Sequence, residues 1–363
     1  MSEPMAQARS LGWLESLDKA RRYAGQMLDR LELGRQESVF EVVLTGACAR
    51  LRAYSPPEHG APVLLLVPAP IKRPYIWDLS PERSVVRRAM QCGFEVYLID
   101  WSEAHGDENR LGLAAYALAT LDDCVEAIRA RSQADRICLA GHSLGGTFAA
   151  LYAAYRPMTP AGLVLVEAPV HFGEATGAFR RMLDSGVPAR TLFPSSPRIP
   201  GSLINLLSVC ASPVTFEFER YADFVASLAS RAAFETHCRV ERWALDELAL
   251  PRRLFEEVVE LLYREDRFMR GELVLGDRLL LPGDVRAPLL AVYDPASRIV
   301  PPASVLDFCA LAGSAEKEAI LYHGDTGVAL KHVGALVGED AHRRVWPAAL
   351  DWLLRESETR ARP

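Results

Sequence analysis

The 363-residue sequence lacks the features that mark several large classes of protein. No apolar run approaches about 20 residues, the length that a membrane-spanning helix needs, and the opening segment MSEPMAQARSLGWLESLDKARR has no apolar signal region. Acidic residues outnumber basic residues by 47 to 41, whereas a nucleic-acid-binding protein usually carries a basic surface. These absences predict a cytoplasmic protein with no transmembrane segment and no nucleic-acid partner.

Signatures of metal, disulfide and dinucleotide binding are missing as well. The seven cysteines form no CxxC pair and show no zinc-ligand spacing, so reduced thiols are expected. The eight histidines contain no HExxH motif, and no GxGxxG motif follows a predicted strand. We therefore expect neither a bound metal nor a cofactor.

Segments typical of buried strands alternate with segments typical of helices along much of the chain. Strands are predicted at 61–70, 94–101, 136–141, 162–169, 287–295 and 318–323, with an early strand pair at 38–56 and helices at 80–93, 111–133 and 144–156. Ser80, Pro81 and Glu82 are expected to cap the first of these helices, and Gly93 to end it. Such alternation predicts an α/β protein built on a doubly wound, mostly parallel sheet.

The alternation is interrupted between residues 172 and 280, where helical patterns dominate. We therefore predict an N-terminal helical segment at 1–37, an α/β core formed by 38–171 and 281–363, and a helical cap inserted at 172–280. Within the cap, the segment FPSSPRIPGSLINLL at 193–207 is rich in proline, glycine and serine, and it is interpreted as a mobile lid or as an ordinary surface loop.

The segment RICLAGHSLGGTFAALYAA, residues 136–154, places Ser143 between two glycines where a buried strand meets a helix. A GxSxG spacing in this strand–turn–helix context predicts the nucleophile elbow of the α/β-hydrolase fold. The sharp turn lifts the serine hydroxyl above the sheet edge, and side chains at 141 and 145 would collide with neighbouring backbone. Ser143 is therefore the predicted nucleophile.

Two backbone amides are candidates for binding the oxyanion that attack by this serine would create. The N–H of Leu144 lies at the start of the helix after the elbow. The second donor is expected in the loop after the strand at 61–70. Because Pro70 has no N–H, the amide of Ile71 is the better candidate.

A serine hydroxyl needs a base, and in this fold a histidine after the last strand supplies it. The candidates are His323, His332 and His342. His332, within LKHVGALVG, is favoured because it is predicted to lie in a loop before the final helix. His323 directly follows a strand and is the second choice, while His342 is expected to be exposed at a charged helix start.

The sequence leaves two candidates for the acid of the triad. Its usual position, three residues before the valine of IVPP, holds Ser297. Glu167, at the end of the strand 162–169, is favoured slightly over Asp294, because a charge at the tip of a buried strand requires a partner. An aspartate followed by proline, as at 294, also suits an ordinary turn.

Several segments resemble the polyhydroxyalkanoate synthase family. They are PVLLLVPAPIKRPYIWDLSPERSVVRRAMQCGFEVYLIDW, ERWALDE, LYREDRFMRGELVLGDR, IVPP and HVGALVG with the later VWPAALDWL. The resemblance covers most of residues 40–355 and is greatest to the shorter synthases that act with a partner subunit. It implies an α/β-hydrolase fold with a catalytic cysteine at position 143, an aspartate at 297 and a histidine at 332. This sequence has serine at the first two positions and His332 at the third.

The two serines change the expected chemistry. A thiolate suits repeated acyl transfer between thioesters, whereas an acyl-serine is commonly resolved by water or another nucleophile. The leading hypothesis is a serine hydrolase, thioesterase or acyltransferase for an apolar hydroxyacyl, fatty acyl or polyketide chain, carried as an ester or by coenzyme A or an acyl carrier protein. The alternatives are a polyhydroxyalkanoate synthase or depolymerase that uses serine, and a non-catalytic subunit. A homo-oligomer and a partner subunit are both compatible with the sequence.

Overall fold

The computed structural model describes residues 3–54, 56, 58, 60–103, 110–173, 187–192, 196–214 and 218–359, with the side chains of the terminal helices described from Trp13 and up to Ser357. The strands in this part of the chain are β1 (Glu41–Thr45), β2 (Ala49–Ala53), β3 (Val63–Val67), β4 (Glu95–Trp101), β5 (Ile137–His142), β6 (Pro160–Val166), β7 (Arg198–Ile199), β8 (Leu250–Pro251), β9 (Leu273–Leu275), β10 (Arg278–Leu280), β11 (Leu289–Tyr293) and β12 (Lys317–Leu321).

Eight of these strands form one sheet in the order β1-β2-β4-β3-β5-β6-β11-β12. The β1–β2 and β2–β4 pairs are antiparallel, and the five pairs that follow are parallel. The predicted doubly wound, mostly parallel sheet is therefore confirmed. Because parallel strands end at the same edge, the residues after β3, β5, β6 and β11 come together there.

Helices cover both faces of the sheet. They are α1 (Glu3–Arg30), α2 (Val85–Gln91), α3 (Thr120–Ser132), α4 (Leu144–Tyr155), α5 (Ala189–Leu192), α6 (Gly201–Ala211), α7 (Glu219–Ser227), α8 (Arg231–Ala244), α9 (Arg252–Glu257), α10 (Ala303–Leu311), α11 (Lys331–Val337) and α12 (Trp346–Thr359), with 3₁₀ turns at Pro74–Trp77 and Pro282–Asp284 and π-helical turns at Ala115–Ala119, Val258–Arg264 and Ala341–Val345.

Side chains of the central strands alternate between two buried layers. Leu65 of β3 and Leu139 of β5 belong to the layer with α3, α4 and α10. Leu64 and Leu66 of β3 belong to the opposite layer, with α2, α11 and α12. Every residue of β3 is buried, which explains why its sequence is an unbroken apolar run instead of an alternating one.

The helix predicted at 80–93 begins later than expected. Its N-cap is Ser84 and not Ser80, since the Ser84 hydroxyl accepts the backbone N–H of Arg87 at 2.9 Å. The same hydroxyl donates to Asp78 Oδ1 at 2.6 Å, so a buried carboxylate outside the helix selects the cap. Gly93 follows with φ 89°, as expected of a residue that ends a helix.

Between β6 and β11, the region predicted as the cap insertion, the described residues form α5 to α9 and the short strands β7 to β10. Its helices α6 and α8 pack against α1, while the β9–β10 hairpin packs against α4 of the core. The loop predicted at 193–207 is wrong in its second half, because residues 201–207 belong to α6, whose Leu203 is buried against Leu14 and Ile199. Residues 193–195 lie outside the described residues.

In the described chain, no helix combines the length and apolar character that crossing a membrane requires.

The turn from β5 into α4 is so tight that it accepts only glycine at two positions. A Cβ placed on Gly145 would lie 2.2 Å from the Val67 carbonyl oxygen, and one on Gly141 would lie 2.5 Å from Gly146 Cα. These neighbours are backbone atoms of β3 and α4, which cannot rotate away as a side chain could. The strand–turn–helix unit is therefore specified by these glycines.

Gly145→Ala should lower the free energy of unfolding by about 3 kcal/mol or more, the upper part of the usual range for overpacking, because backbone must move. Gly283→Ala is the matched control, since no atom lies within 4 Å of its added Cβ. Urea unfolding of both variants measures the difference. Equal stability of the two variants would contradict the close approach of β3 to the elbow.

Candidate active site

Ser143 occupies the strained position of the turn between β5 and α4. Its backbone has φ 54° and ψ −134°, a conformation that side-chain-bearing residues rarely adopt. The backbone N–H of Ser143 donates to the Val166 carbonyl at 3.0 Å, which ties the elbow to the end of β6. The side chain is thereby presented at the carboxyl edge of the sheet.

Ser143 and His332 line the same cavity, whose volume is about 340 Å³. The elbow and the 3₁₀ turn at Pro74–Trp77 contribute core residues, and the insertion contributes apolar side chains. These include Ile204, Leu207, Leu250, Phe255, Val258 and Val259. The cavity is therefore a mainly apolar chamber between the sheet edge and the cap.

His332 lies in the first turn of α11 and not in a loop, so that part of the prediction is wrong. The segment that follows it, Val333–Val337, is buried against the core and forms the helix. The His332 side chain is 15% exposed, and burial lowers the pKa of its imidazole to about 4. The ring is therefore neutral at pH 7, so one of its nitrogens is unprotonated and can accept a proton.

Glu167 lies immediately after β6, behind His332. Its Oε2 is 3.7 Å from His332 Nδ1, and this ring nitrogen has no hydrogen-bond partner among the described residues. A movement of about 1 Å would bring the two atoms into hydrogen-bond range. Within the same residues, no ion pair joins His332 to Asp294, the other candidate for the acid.

The backbone of Glu167 is also unusual. Its φ is 45°, one of the few positive values at a non-glycine residue of the described chain. The backbone N–H donates to the Val292 carbonyl at 2.9 Å, which holds the residue at the end of β11. Strain that is maintained by the surrounding structure is typical of functional positions.

The Glu167 carboxylate is only 1% exposed, and neighbouring donors bind it. Its Oε1 accepts the Asp294 backbone N–H at 2.5 Å, and the Ser297 hydroxyl donates to it. Burial raises the pKa of Glu167 to about 8, against the lowering effect of these two hydrogen bonds. Ser297 therefore donates to the Glu167 carboxyl group, and it does so from the position where the family resemblance implies an aspartate.

Asp294 uses its own carboxylate locally. Its Oδ1 accepts the Ala296 backbone N–H at 2.8 Å, as in an Asx turn. The residue is 8% exposed. This geometry matches the turn role that was the simpler interpretation of its Asp-Pro sequence.

The other two histidine candidates lie apart from Ser143. His323 is exposed after β12 and does not line the cavity. His342, expected to be exposed, is instead 3% exposed within the π-helical turn at Ala341–Val345. Burial lowers the pKa of His342 to about 3, and its Nδ1 lies 3.4 Å from Arg88 Nε. The exposed placement of His342 was wrong because the charged residues beside it, and not the histidine, face solvent.

His142, next to the elbow serine, makes a hydrogen bond that the sequence did not predict. Its Nε2 lies 2.9 Å from the carbonyl oxygen of His332, and because a carbonyl only accepts, Nε2 carries the proton. The two rings lie 4.7 Å apart. Burial lowers the pKa of His142 to about 3, so this hydrogen bond anchors the start of α11 throughout the neutral pH range.

Both oxyanion candidates line the cavity. Leu144 begins α4, where the first N–H groups have no partner within the helix. Ile71 lies in the loop after β3 together with Ala69, which also lines the cavity. The described residues contain no cluster of histidine, cysteine, aspartate and glutamate that would hold a metal ion.

Comparison with known proteins first identifies the fold class of the chain. The family model described as alpha/beta hydrolase fold matches residues 62–198. A monoacylglycerol lipase from Paleococcus ferrophilus has a TM-score of 0.56 at 18% identity, over 85% of this chain and 99% of the lipase. A 2-hydroxy-6-oxo-6-phenylhexa-2,4-dienoate hydrolase from Rhodococcus sp. strain RHA1 has a TM-score of 0.53 at 12% identity, over 88% and 99%. The chain has the α/β-hydrolase fold, as predicted.

Proteins similar in sequence point to one group within this fold class. Poly(3-hydroxyalkanoate) polymerase subunit PhaC of Haloferax mediterranei is 30% identical over 297 residues, 82% of this chain. The corresponding subunit of Synechocystis sp. is 29% identical over 82% of this chain and 79% of its own length, and that of Allochromatium vinosum is 28% identical over 84% of each. The chain is similar in sequence to the poly(3-hydroxyalkanoate) polymerase subunits, which confirms the family resemblance.

The match covers only part of some relatives. This chain spans 59% of the length of the Haloferax mediterranei subunit and 61% of that of Haloarcula marismortui.

The raised pKa of Glu167 predicts a pH dependence of stability. Its folded-state pKa of about 8 lies above the ordinary 4.5, so the folded state loses stability as pH rises towards 8, by at most about 1.4 kcal/mol per pH unit. The lowered pKa of His332 acts below pH 6.5, where its contribution is lost as pH falls. The interval from pH 6.5 to 8 is therefore free of the His332 contribution.

Urea unfolding of wild type and Glu167→Gln across this interval measures the effect. The glutamine variant should gain stability relative to wild type as pH rises. Ser143→Ala is the control, because it removes no carboxyl group and should follow the wild-type slope. Parallel curves for Glu167→Gln and wild type would show that Glu167 is not buried in the way described.

Proposed function

We propose that the protein is a serine hydrolase or acyltransferase that acts on an apolar acyl ester or thioester through an acyl-Ser143 intermediate. One observation carries the proposal: the elbow serine and a neutral histidine line one apolar cavity, and a buried carboxylate lies 3.7 Å behind the histidine ring. A nucleophile, a base and an orienting acid in that order are the requirements of serine acyl transfer.

The proposed reaction begins when Ser143 Oγ attacks the acyl carbonyl and His332 Nε2 takes the hydroxyl proton. The N–H groups of Leu144 and Ile71 bind the oxyanion of the tetrahedral intermediate. His332 then returns the proton to the departing alcohol or thiol as the bond to that group breaks, leaving acyl-Ser143. Water or an acceptor hydroxyl, deprotonated by His332, attacks the ester, and His332 returns this proton to Ser143 Oγ as the bond to the acyl group breaks.

Glu167 orients and stabilises His332 in this scheme. In this scheme its Oε2, 3.7 Å from Nδ1, accepts a hydrogen bond from Nδ1–H, which leaves Nε2 unprotonated towards the serine. Protonation of the imidazole places a positive charge beside Glu167 and favours its ionised form. The imidazolium and the carboxylate would therefore form together, in the step in which His332 takes the Ser143 proton.

The lining of the cavity supports an apolar acyl group with a polar carrier. Its lining is mainly apolar, while Arg73, Arg220 and Arg264 also contribute to it. Cationic side chains suit the phosphates of coenzyme A or of a carrier protein's prosthetic arm. The acyl chain, by this reasoning, is a hydroxyacyl, fatty acyl or polyketide chain held among the cap residues.

Polymer synthesis or turnover is the second candidate, and the homology favours it. The relatives are named as poly(3-hydroxyalkanoate) polymerase subunits, so a hydroxyacyl thioester and a partner subunit are natural proposals for this chain. Serine at position 143 favours hydrolysis or single transfer over repeated transfer, because an alkoxide is a poorer leaving group than a thiolate. Analysis of the product, a free acid or a polymer, separates the two candidates.

A fluorophosphonate should label the wild-type protein covalently at Ser143. Ser143→Ala should remove the label, and His332→Ala should slow labelling by about 100-fold or more, as expected when a general base is lost. Gel fluorescence measures the rates, and mass spectrometry of the digested adduct locates the label. A folded wild type that remains unlabelled would support a non-catalytic subunit and contradict the proposal.

Glu167 and Asp294 can be separated by isosteric substitution. Glu167→Gln should reduce kcat for a p-nitrophenyl ester by about 10³-fold or more, in line with loss of a triad acid. Asp294→Asn keeps the backbone N–H that binds Glu167 and is the matched control, with an expected loss of less than about 10-fold. The opposite order of the two losses would assign the acid to Asp294.

A further inference from the structure

The loop that carries the second oxyanion candidate is bound to the cap by several hydrogen bonds. This 68–73 loop, Pro68–Arg73, follows β3 and lines the cavity. The backbone N–H of Leu248 donates to the Ile71 carbonyl at 3.0 Å, and Trp243 Nε1 donates to the Arg73 carbonyl at 2.8 Å. Two backbone carbonyls of a loop from the core are thus occupied by donors from the insertion.

A buried lysine adds the central contact. Lys72 Nζ donates to the Ala244 carbonyl at 2.6 Å and to Glu247 Oε1 at 2.8 Å, and it lies 5.2 Å from the centre of the Trp243 ring. The lysine and glutamate side chains are only 14% and 5% exposed. Lys72 therefore points from the loop into the C-terminal end of α8, where backbone carbonyls favour a cation.

The N-terminal helix completes the cluster. Arg21 of α1 donates to the same Glu247 Oε1 at 3.0 Å and to the same Ala244 carbonyl at 2.9 Å. One carboxylate oxygen and one carbonyl thus bind two cations from segments far apart in sequence. The glutamate lies at the junction of the 68–73 loop, the cap and α1.

Such a cluster fixes geometry more than it adds stability. Removing water from a lysine and a glutamate is costly, and their attraction roughly offsets that cost. Desolvation lowers the pKa of Lys72, and the nearby Glu247 opposes the change. An apolar contact would hold the loop as firmly, but with less control over direction. The arrangement is therefore better explained by positioning than by stability.

We propose that Lys72 and Glu247 are positioning residues that hold the Ile71 amide in place for the oxyanion formed at Ser143. The inference rests on the proposed function. An oxyanion donor works only within about 2.7–3.1 Å of the developing charge, so a small displacement of the loop removes its contribution. The cap and α1 thereby complete the oxyanion site of the core.

Glu247→Gln tests this with p-nitrophenyl butyrate as the probe. The glutamine keeps the size of the side chain but removes its charge, so kcat should fall by about 100-fold, the effect of losing one oxyanion donor. KM should stay within about twofold, because the donor acts on the transition state. Lys72→Met should behave alike, and Arg21→Ala, which removes only the outer cation, should lose less.

Hydrogen exchange supplies a readout that does not depend on turnover. Peptides covering the 68–73 loop should exchange faster in Glu247→Gln, while peptides from β5 and β6 stay protected. The matched control is Asp100→Asn, which disrupts a buried ion pair with Arg52, at 2.8 Å, among strands that do not line the cavity. It should leave kcat, KM and exchange of the loop unchanged.

The outcomes separate this inference from the proposed function. A wild type without esterase activity or phosphonylation overturns both. An active wild type whose Glu247→Gln variant retains kcat, or in which KM alone rises, overturns only the positioning role. Should Glu247→Gln fail to fold, Lys72→Met decides: unchanged kcat and unchanged loop exchange in that variant overturn the inference, and a fall in kcat with faster loop exchange supports it.

Discussion

The burial of Glu167 is the constraint on which the rest of the site depends. A carboxylate that water cannot reach must either bind a proton or find compensation nearby. This one receives the Asp294 amide and the Ser297 hydroxyl, and it faces an imidazole that has an unused nitrogen. Its raised pKa favours the protonated form at neutral pH, and a positive imidazole beside it would favour ionisation. The protonation states of Glu167 and His332 are thus coupled, because a charge on either group favours the opposite charge on the other.

The sheet topology explains why these groups meet. β5, β6 and β11 are adjacent and parallel, so the residues that follow them share one edge: Ser143 after β5, Glu167 after β6 and Asp294 after β11. In the proposed site, an acid at the end of β6 instead of β11 would still face the same histidine, at 3.7 Å. Serine at 297 then becomes a donor to the relocated carboxylate. The apparent loss of the family's aspartate is, on this account, a rearrangement within one cluster.

The local features were predictable and the long-range ones were not. The elbow and its glycines follow from a spacing of five residues, and the sheet follows from apolar runs, because both depend on neighbouring backbone. His332 was predicted as the base from its order in the chain, and it lines the same cavity as Ser143, although its helix was missed. The choice between Glu167 and Asp294 depends on which carboxylate points towards the ring, which sequence does not specify. Lys72 and Glu247 lie 175 positions apart, and no pattern in the sequence announced their contact.

The central claim is that Glu167 supports His332 while Ser143 carries the acyl group. A crystal structure of the protein with a phosphonate bound covalently to Ser143 tests it most directly, since the adduct imitates the tetrahedral intermediate. In the adduct, the distance from Glu167 Oε2 to His332 Nδ1 should contract from 3.7 Å to about 2.8 Å, the length of a charge-assisted hydrogen bond. A distance that does not contract, with the Asp294 carboxylate on the ring instead, would contradict it.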